Sequence, residues 1–529
     1  MTGKVVAIGI DGPNSALLDE WLAQGLMPNL ASIAARGVCG NVTHTKRFRN
    51  ERCWDAFLAG RDVGGTGSAF VPQSYVYFNE SLQREDRYEP FFALGDARRV
   101  CVFDFPATIS SQVNGIQIAG WGSELNAVRA VSQPAPLMAE IVARHGADPK
   151  LVDVVNVRDA MTGEVEKSYV LPSLYDRPAV LEFGDRLRES VRRRTEICLD
   201  LLGRGEWDLF MALFPEGHSA NHMLWHLERP HPLTPPEGSD QALKDMFQEI
   251  DRGIGRIVDA VSPEQNVVVF TIDHTGVNNM DVPGMALLPE LLYRWCFNGR
   301  AALAEGDASR PVQAIRTDFH RHWKHEVWAL RTPHGEGVLL SPGALEAQGD
   351  PLSWSPAAWY RTCWPQMRAF ALPSVGDGYV RLNVKGREGS GLVEADEFAR
   401  TLDALTALLA QTSNPRTGLP LVKRVLRMRE MPFESPDIPP DLVVCWDDDA
   451  PADGLDCPQL GRIGPLPYFR SGGHVSHGSA VHNIWMACGP QVPGGGKPRS
   501  GLLEDIPATL LDLIGVELPA TMSGRSLLR

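Results

Sequence analysis

The chain has 529 residues, of which 43% are hydrophobic and 22% charged, and its formal net charge is −14. This composition is typical of a folded globular protein and excludes fibrous and low-complexity chains. The acidic balance argues against binding to nucleic acid polymers, because neutralising a phosphate backbone requires clustered Lys and Arg. A small anionic substrate would need a local positive site, which bound metal ions often supply.

The sequence shows no sign of a membrane segment or of a disulfide framework. No stretch approaches the roughly 18 consecutive apolar residues of a membrane helix, and the start, MTGKVVAIGIDGP, has no long apolar segment. The nine Cys are scattered from Cys39 to Cys488 and contain no C-x-x-C pair. We therefore expect a cytoplasmic protein without a membrane anchor.

Short apolar runs alternate along the chain with helical stretches, which predicts an α/β fold with a mostly parallel sheet and helices on both faces. The stretch 17–36 predicts one helix that ends at Gly37 in a left-handed cap. The predicted strands are residues 5–10, 100–105, 209–214, 267–272, 442–446 and 484–487.

The character of the sequence changes between residues 281 and 434, which are rich in Pro, Trp and His before a long helical segment at 394–409. We interpret residues 281–434 as an inserted α+β cap that shapes the substrate pocket, and residues 1–280 and 435–529 as a metal-binding α/β core. The chain is expected to return to the central sheet near Leu442.

Three polar clusters each follow a predicted strand. Asp11 follows the first strand, the segment FPEGHSANHMLWH follows the strand at 209–214, and Asp273 and His274 follow the strand at 267–272. Ligands of open α/β sheets bind outside the carboxyl ends of the strands. We therefore expect the three clusters to converge on one site.

His218 and His222 are four residues apart, so on a helix they lie on one face at a spacing suited to chelating one ion. His226 continues the row, and three such His could equally form a solvated face. Asp273 follows a buried β-branched run, where a carboxylate is costly unless it is paired or bound to a metal. The alternative is that Asp273 accepts hydrogen bonds from backbone amides in a turn.

The segment GGHVSHGSAVHN adds His474, His477 and His482. Carboxylate and imidazole groups without Cys favour zinc, iron or manganese over calcium or magnesium. Two such ions about 4 Å apart can hold the attacking and leaving oxygens of a displacement at phosphorus. The sequence therefore predicts two divalent ions and a small anionic substrate.

The order of these motifs resembles the type I phosphodiesterase and nucleotide pyrophosphatase branch of the alkaline phosphatase superfamily. The resemblance implies an alkaline-phosphatase-like fold and metal-dependent cleavage or transfer at a phosphoester of a small phosphodiester or nucleotide-like molecule. It runs through VVAIGIDGP, MPNLASIAARG, ERCWDAFLAG, EGHSANHMLWH, TIDH, YVRLNVKGREGSG, PPDLVV, HGSAVHNIWMACGP and IPATLLDLIGVELP.

The resemblance also implies a ligand set. His477 is favoured over His474 because HGSAVHN matches the closing His-Gly element of the family, and His218 stands where the family has an Asp, so that Glu216 is an alternative ligand. The implied ligands are Asp11, Asp273 and His274 for one ion, and His218, His222 and His477 for the other.

The same resemblance to the family singles out two further positions. Arg387, in NVKGREGSG, falls in a segment that suggests a substrate contact, although a structural turn and ion pair would explain it as well. The Thr or Ser nucleophile of the family is replaced by Asn50, which cannot form a phosphoryl ester.

Three interpretations of Asn50 are open. A metal-bound water attacks directly while Asn50 orients the substrate, or Thr43, Thr45 or Asp55 is the nucleophile. In the third, the protein catalyses another metal-assisted group transfer. A non-catalytic metal-binding homologue is the remaining alternative.

Overall fold

The structure is a computed structural model. Asn50, Thr45 and His477 lie outside the residues that it describes. The described residues are 3–44, 53–63, 68–79, 88–107, 109–122, 130–152, 154–158, 165–169, 171–235, 237–305, 323–350, 352–434, 439–447, 449–475, 482–495 and 498–529.

A nine-stranded sheet forms the centre of the molecule, with the strand order β21-β2-β20-β11-β1-β10-β5-β6-β7. The strands are β1 (Lys4–Asp11), β2 (Val38–Thr43), β3 (Ser68–Val71), β4 (Val76–Asn79), β5 (Gly95–Phe103), β6 (Val113–Ala119), β7 (Val131–Gln133), β8 (Val154–Arg158), β9 (Val165–Tyr169), β10 (Leu209–Phe214), β11 (Gln265–Ile272), β12 (Thr275–Val277), β13 (Ala369–Leu372), β14 (Gly378–Leu382), β15 (Val422–Arg427), β16 (Leu442–Trp446), β17 (Leu455–Cys457), β18 (Gly461–Ile463), β19 (Gly472–His474), β20 (Asn483–Cys488) and β21 (Gly501–Leu502).

Helices cover both faces of this sheet, as predicted. A short 3₁₀ helix spans Ala395–Glu397 directly before α13, and a π-helical turn spans Pro283–Leu287 directly before α8. The helices are α1 (Ser15–Ala23), α2 (Pro28–Arg36), α3 (Cys53–Ala59), α4 (Leu137–His145), α5 (Arg177–Gly203), α6 (Glu216–Glu228), α7 (Ala242–Asp259), α8 (Leu288–Cys296), α9 (Trp323–Trp328), α10 (Pro333–Val338), α11 (Pro342–Ala347), α12 (Pro356–Trp359), α13 (Phe398–Leu409) and α14 (Asp505–Leu513).

The central strands are buried on both faces, which explains why they are continuous apolar runs. Strands β11, β1, β10, β5 and β6 are mutually parallel, while β20 runs antiparallel to β11. Along β1, Val6, Ile8 and Ile10 face the core beneath α1, α2, α5, α6 and α7. Val5 and Ala7 face the opposite core, beneath α3 and α14.

The predicted strand at 442–446 is present but belongs to a different sheet. β16 pairs with β14 and β15 in a four-stranded antiparallel sheet ordered β13-β14-β16-β15. The expected return to the central sheet near Leu442 is therefore wrong, because the chain rejoins it at β20. The apolar run alone could not distinguish the two sheets, since both bury their strands in the same continuous core. The domain division at 281 and 434 stays a prediction.

The predicted single helix at 17–36 is also wrong, because it is two helices. Gly25 has φ +73° and its amide donates to the Leu22 carbonyl at 3.0 Å, which is a left-handed cap that ends α1. Pro28 then occupies the first turn of α2, where its missing amide is tolerated. Gly37, expected to be left-handed, has φ −145°. None of the described helices is both long and apolar enough to cross a membrane.

We predict that Asp251→Ala lowers the free energy of unfolding by about 1–3 kcal/mol, because it leaves the start of α2 without acceptors. Met27, at the N-cap position, makes no side-chain cap. Instead Asp251 of α7 accepts from the Asn29 amide at 3.2 Å, from Asn29 Nδ2 at 2.8 Å and from the Leu30 amide at 2.9 Å. Denaturant unfolding measures the change. Exposed Asp259→Ala on the same helix is the control, and equal effects of the two would contradict the prediction.

Candidate metal centre

Strand order brings the three polar clusters to one edge of the sheet. β1 lies between β10 and β11, and all three strands are parallel, so their carboxyl ends are adjacent. Asp11 is the last residue of β1, α6 begins two residues after β10, and Asp273 directly follows β11. The prediction that the clusters converge is confirmed by this topology.

Three histidine rings form the centre of the site. His218 and His222 lie on one face of α6 with ring centroids 4.5 Å apart. His474, the last residue of β19, contributes the third ring, at 4.8 Å from His218 and 5.1 Å from His222. One ring nitrogen of each His lies within 4.8 Å of the other two, and this is the one such group of potential metal ligands among the described residues.

An oxygen atom faces Nδ1 of each of these rings. Asp11 Oδ2 lies 3.0 Å from Nδ1 of His218, and Asp273 Oδ2 lies 2.9 Å from Nδ1 of His474. The Gly472 carbonyl oxygen lies 2.8 Å from Nδ1 of His222. Because these oxygens accept, we assign the proton of each neutral ring to Nδ1, which leaves the lone pair on Nε2. Histidines that bind a metal are typically held in this way.

The spacing of two of the Nε2 atoms fits a tetrahedral ion. Nε2 of His218 lies 3.3 Å from Nε2 of His474. With the lone pair of each ring on Nε2, the two nitrogens repel each other at this distance. Two nitrogens bound to one tetrahedral zinc at about 2.0–2.1 Å would themselves be about 3.3 Å apart. The donor set therefore fits zinc, and three nitrogens leave a fourth position open for a substrate.

Close backbone contacts allow this arrangement to form. Gly12, which follows Asp11, has φ +59°, and a Cβ there would lie 2.8 Å from the His218 ring. A Cβ on Gly472 would lie 2.1 Å from the Asn221 carbonyl oxygen of α6. Asp273 has φ +56°, a left-handed conformation that is uncommon for a residue with a side chain. The turn after β1 and strand β19 can therefore pack directly against α6.

The predicted ligands are only partly brought together. Asp11, His218, His222 and Asp273 meet in the cluster. His274 is buried, and its backbone amide donates to Asp273 Oδ1 at 2.8 Å, but its ring is not one of the group of three.

The structure brings His474 into the cluster, although the sequence favoured His477 in its place. Since His477 lies outside the described residues, its role as a ligand stays a prediction. The signal that could have identified His474 is the preceding Gly472-Gly473 pair, which permits close packing of β19. A Cβ on Gly473 would lie 2.7 Å from Asn278 Cγ.

Glu216, the alternative to His218, does not join the cluster. Its Oε1 accepts from Arg194 Nε at 2.8 Å and from Ser190 Oγ at 2.7 Å, and the residue is fully buried against α5. Both partners lie on α5, so the carboxylate faces away from the three rings. Of the two alternatives, His218 is the one that the structure brings to the centre.

Arg387 lies in a buried ion-pair cluster of the smaller sheet. Its Nη2 donates to Asp441 Oδ2 at 2.7 Å and its Nε donates to Glu388 Oε1 at 2.9 Å. Its Nη1 donates to the carbonyl oxygen of Pro432 at 2.8 Å. These contacts support the structural explanation of Arg387. The substrate role remains a prediction without a contact to support it.

His226 continues the row on α6 but is not on a solvated face. It is 2% exposed, and its Nδ1 lies 3.0 Å from Ser471 Oγ. Burial lowers the pKa of His226 to about 4. His226 is therefore a neutral core residue that packs α6 against the segment leading into β19.

No protein-family model and no curated protein sequence matches the chain. Among solved structures it is similar to the alkaline phosphatase PafA, with a TM-score of 0.51, 10% identity and coverage of 99% of this chain and 98% of that chain. Phosphonoacetate hydrolase from Sinorhizobium meliloti 1021, in complex with phosphonoformate, has a TM-score of 0.46 and 13% identity, with 97% and 96% covered. Human ectonucleotide pyrophosphatase / phosphodiesterase 5 has a TM-score of 0.47 and 11% identity, with 98% and 97% covered.

The likeness to PafA extends over nearly the whole of both chains, and it defines the class of fold. The chain has an alkaline-phosphatase-like α/β fold. This confirms the fold class that the sequence motifs predicted.

We predict that His222→Ala weakens zinc binding by at least about 100-fold, because it removes a ligand and not merely an outer contact. Competition with a chromophoric chelator at fixed pH measures the change. His226→Gln is the matched control, since it lies one turn further along the same helix and outside the group of three. Zinc affinity of His222→Ala equal to that of the wild type would contradict the assignment.

Acidification should destabilise the metal-free protein between about pH 6.5 and 4. Burial lowers the pKa of His226 to about 4 and the pKa of His231 well below its usual range, whereas an unfolded His titrates near 6.5. Within this window the unfolded chain binds more protons, so the free energy of unfolding falls as the pH falls. Denaturant unfolding of chelator-treated protein at several pH values tests this. His226→Gln should show a shallower pH dependence, and an unchanged slope would refute the explanation.

Proposed function

We propose that this chain is a metal-dependent hydrolase or transferase that acts at a phosphoester bond of a small anionic molecule, such as a phosphodiester or a nucleotide-like compound. The observation that carries the proposal is the group of three His rings at the carboxyl edge of the sheet, each with its Nδ1 facing an oxygen acceptor. The alkaline-phosphatase-like fold supports chemistry at phosphorus, since PafA is an alkaline phosphatase.

Nε2 of His218, His222 and His474 would hold the ion. A divalent ion bound there would act as a Lewis acid towards a phosphoryl oxygen. Asp11 and Asp273 would keep two of the rings in the tautomer that binds metal, and their negative charge would raise the basicity of these rings. The ion would also supply the positive site that a chain of net charge −14 needs for an anionic substrate.

The number of ions is open to direct measurement. The described residues carry one group of three ligands. The two-ion site that the family resemblance implies would also use Asp11, Asp273, His274 and His477 as ligands, and it stays our expectation for the loaded enzyme. Zinc per chain, measured by elemental analysis after gel filtration, distinguishes one ion from two.

Direct attack by water, with the Asn50 amide orienting the substrate, is the mechanism we favour. Of the alternative nucleophiles, Asp55 is 2% exposed and its Oδ1 accepts from the Tyr88 hydroxyl at 2.5 Å. This contact supports a structural role for Asp55 in α3. Thr43 is exposed at the end of β2, and its backbone carbonyl accepts from the Leu503 amide at 2.9 Å.

We expect the zinc-loaded protein to hydrolyse aryl phosphate esters, and His474→Ala to lower kcat/KM by at least about 100-fold because a three-ligand centre loses one ligand. Mono-aryl and bis-aryl phosphates are the substrates, and chelation should abolish turnover until zinc is restored. Half-buried Arg462→Gln, on the nearby strand β18, serves as the control. No turnover of any phosphate ester by fully loaded protein would refute hydrolysis.

Asn50→Thr in the same assay separates hydrolysis from a repurposed group transfer. If Asn50 orients the substrate, turnover should fall while zinc content is unchanged. A gain of phosphodiesterase activity would instead indicate that the reaction has moved away from that of the related enzymes.

A further inference from the structure

Arg470 lies beside the three His rings, in the segment that leads into β19. The residue is 2% exposed, and its Nη1 donates to Nε2 of His222 at 2.9 Å. Its guanidinium also lies 4.7 Å from the centroid of the Phe469 ring. Because an Arg side chain does not lose its proton in proteins, a permanent positive charge is buried next to the proposed metal position.

Among the described residues, this charge lacks the carboxylate partner that other buried Arg side chains have. In the part of the chain that the structure describes, no carboxylate lies within ion-pair distance of Arg470, and its Nε has no hydrogen-bond acceptor. A neutral imidazole and an aromatic face compensate poorly for the desolvation of a guanidinium. Three other buried Arg pair with buried carboxylates: Arg194 with Glu216 and Asp104, Arg294 with Glu290, and Arg387 with Asp441.

We infer that Arg470 is the anion-binding residue of this site and that its guanidinium binds the oxygens of the substrate's phosphoryl group. The inference rests on the proposed function and adds to it the residue that recognises the substrate charge. A guanidinium presents its N–H groups in a planar fork that matches two phosphoryl oxygens. Its single hydrogen bond among the described residues leaves donors for such an anion.

His222 connects this residue to the metal. The lone pair of His222 Nε2 can accept from Arg470 or bind an ion, but not both. Occupation of the metal position therefore frees Nη1 of Arg470, which is then available to the anion. It follows that metal and anion should strengthen each other's binding by the same factor, because such coupling is reciprocal.

The test measures binding of inorganic phosphate to zinc-loaded protein by titration calorimetry. We expect Arg470→Gln to bind phosphate at least about tenfold more weakly than the wild type, and Arg470→Lys to be intermediate, because Lys keeps the charge and loses the fork. Zinc affinity of Arg470→Gln should be equal to or tighter than wild type, since a competitor for His222 is removed. Arg462→Gln, whose half-buried partner is Asp456, should bind both ligands as the wild type does.

A phosphate affinity of Arg470→Gln within twofold of the wild type would overturn the inference. A loss of zinc affinity in Arg470→Gln as large as that in His222→Ala would also overturn it, because it would indicate a structural role for Arg470. The unfolding midpoint of each variant is measured first, and Arg470→Lys decides the question if Arg470→Gln does not fold. Should the wild type bind no zinc, the proposed function fails by itself. Phosphate protection of the metal-free wild type against thermal unfolding that is weaker in Arg470→Lys would then support the anion site, and equal protection of the two would overturn it.

Discussion

The contact between an oxygen atom and Nδ1 of each clustered imidazole is the constraint on which this site depends. Two of the oxygens belong to the carboxylates of Asp11, the last residue of β1, and Asp273, which directly follows β11. The third is a backbone carbonyl of β19. Each acceptor fixes a ring tautomer and a ring orientation, so each of the three side chains keeps its lone pair on Nε2. Without these acceptors neither the tautomer nor the orientation of the three rings would be fixed.

The fold supplies these acceptors through two pairings. Parallel pairing of β1 with β10 and β11 places the strand ends next to the first turn of α6. Antiparallel pairing of β12 with β19 places Thr275 opposite His474, which brings this ring beside Asp273. The same segment carries Arg470 to His222. β19 and the residues that lead into it thus bring a potential metal ligand and a buried cation to the same place.

Much of the central fold could be predicted because its strands are long, apolar and buried on both faces. Leu209–Phe214 was predicted with its observed bounds, and β1, β11 and β20 were predicted within a few residues. The errors have local causes. A Gly25 cap followed by Pro28 divides one amphipathic stretch into two helices. β16 is as apolar as a central strand, and only its pairing with β14 and β15 assigns it to the smaller sheet.

The sequence by itself determined which residue types could meet at the strand ends, because the order of apolar runs and polar residues specifies the carboxyl edge of a parallel sheet. Only the tertiary structure decided that His474 joins the cluster and that Glu216 turns towards α5. The choice depends on the close approach of Gly472 to the Asn221 carbonyl and on the buried charge of Arg194. These are contacts between segments distant in the chain, and no local pattern encodes them.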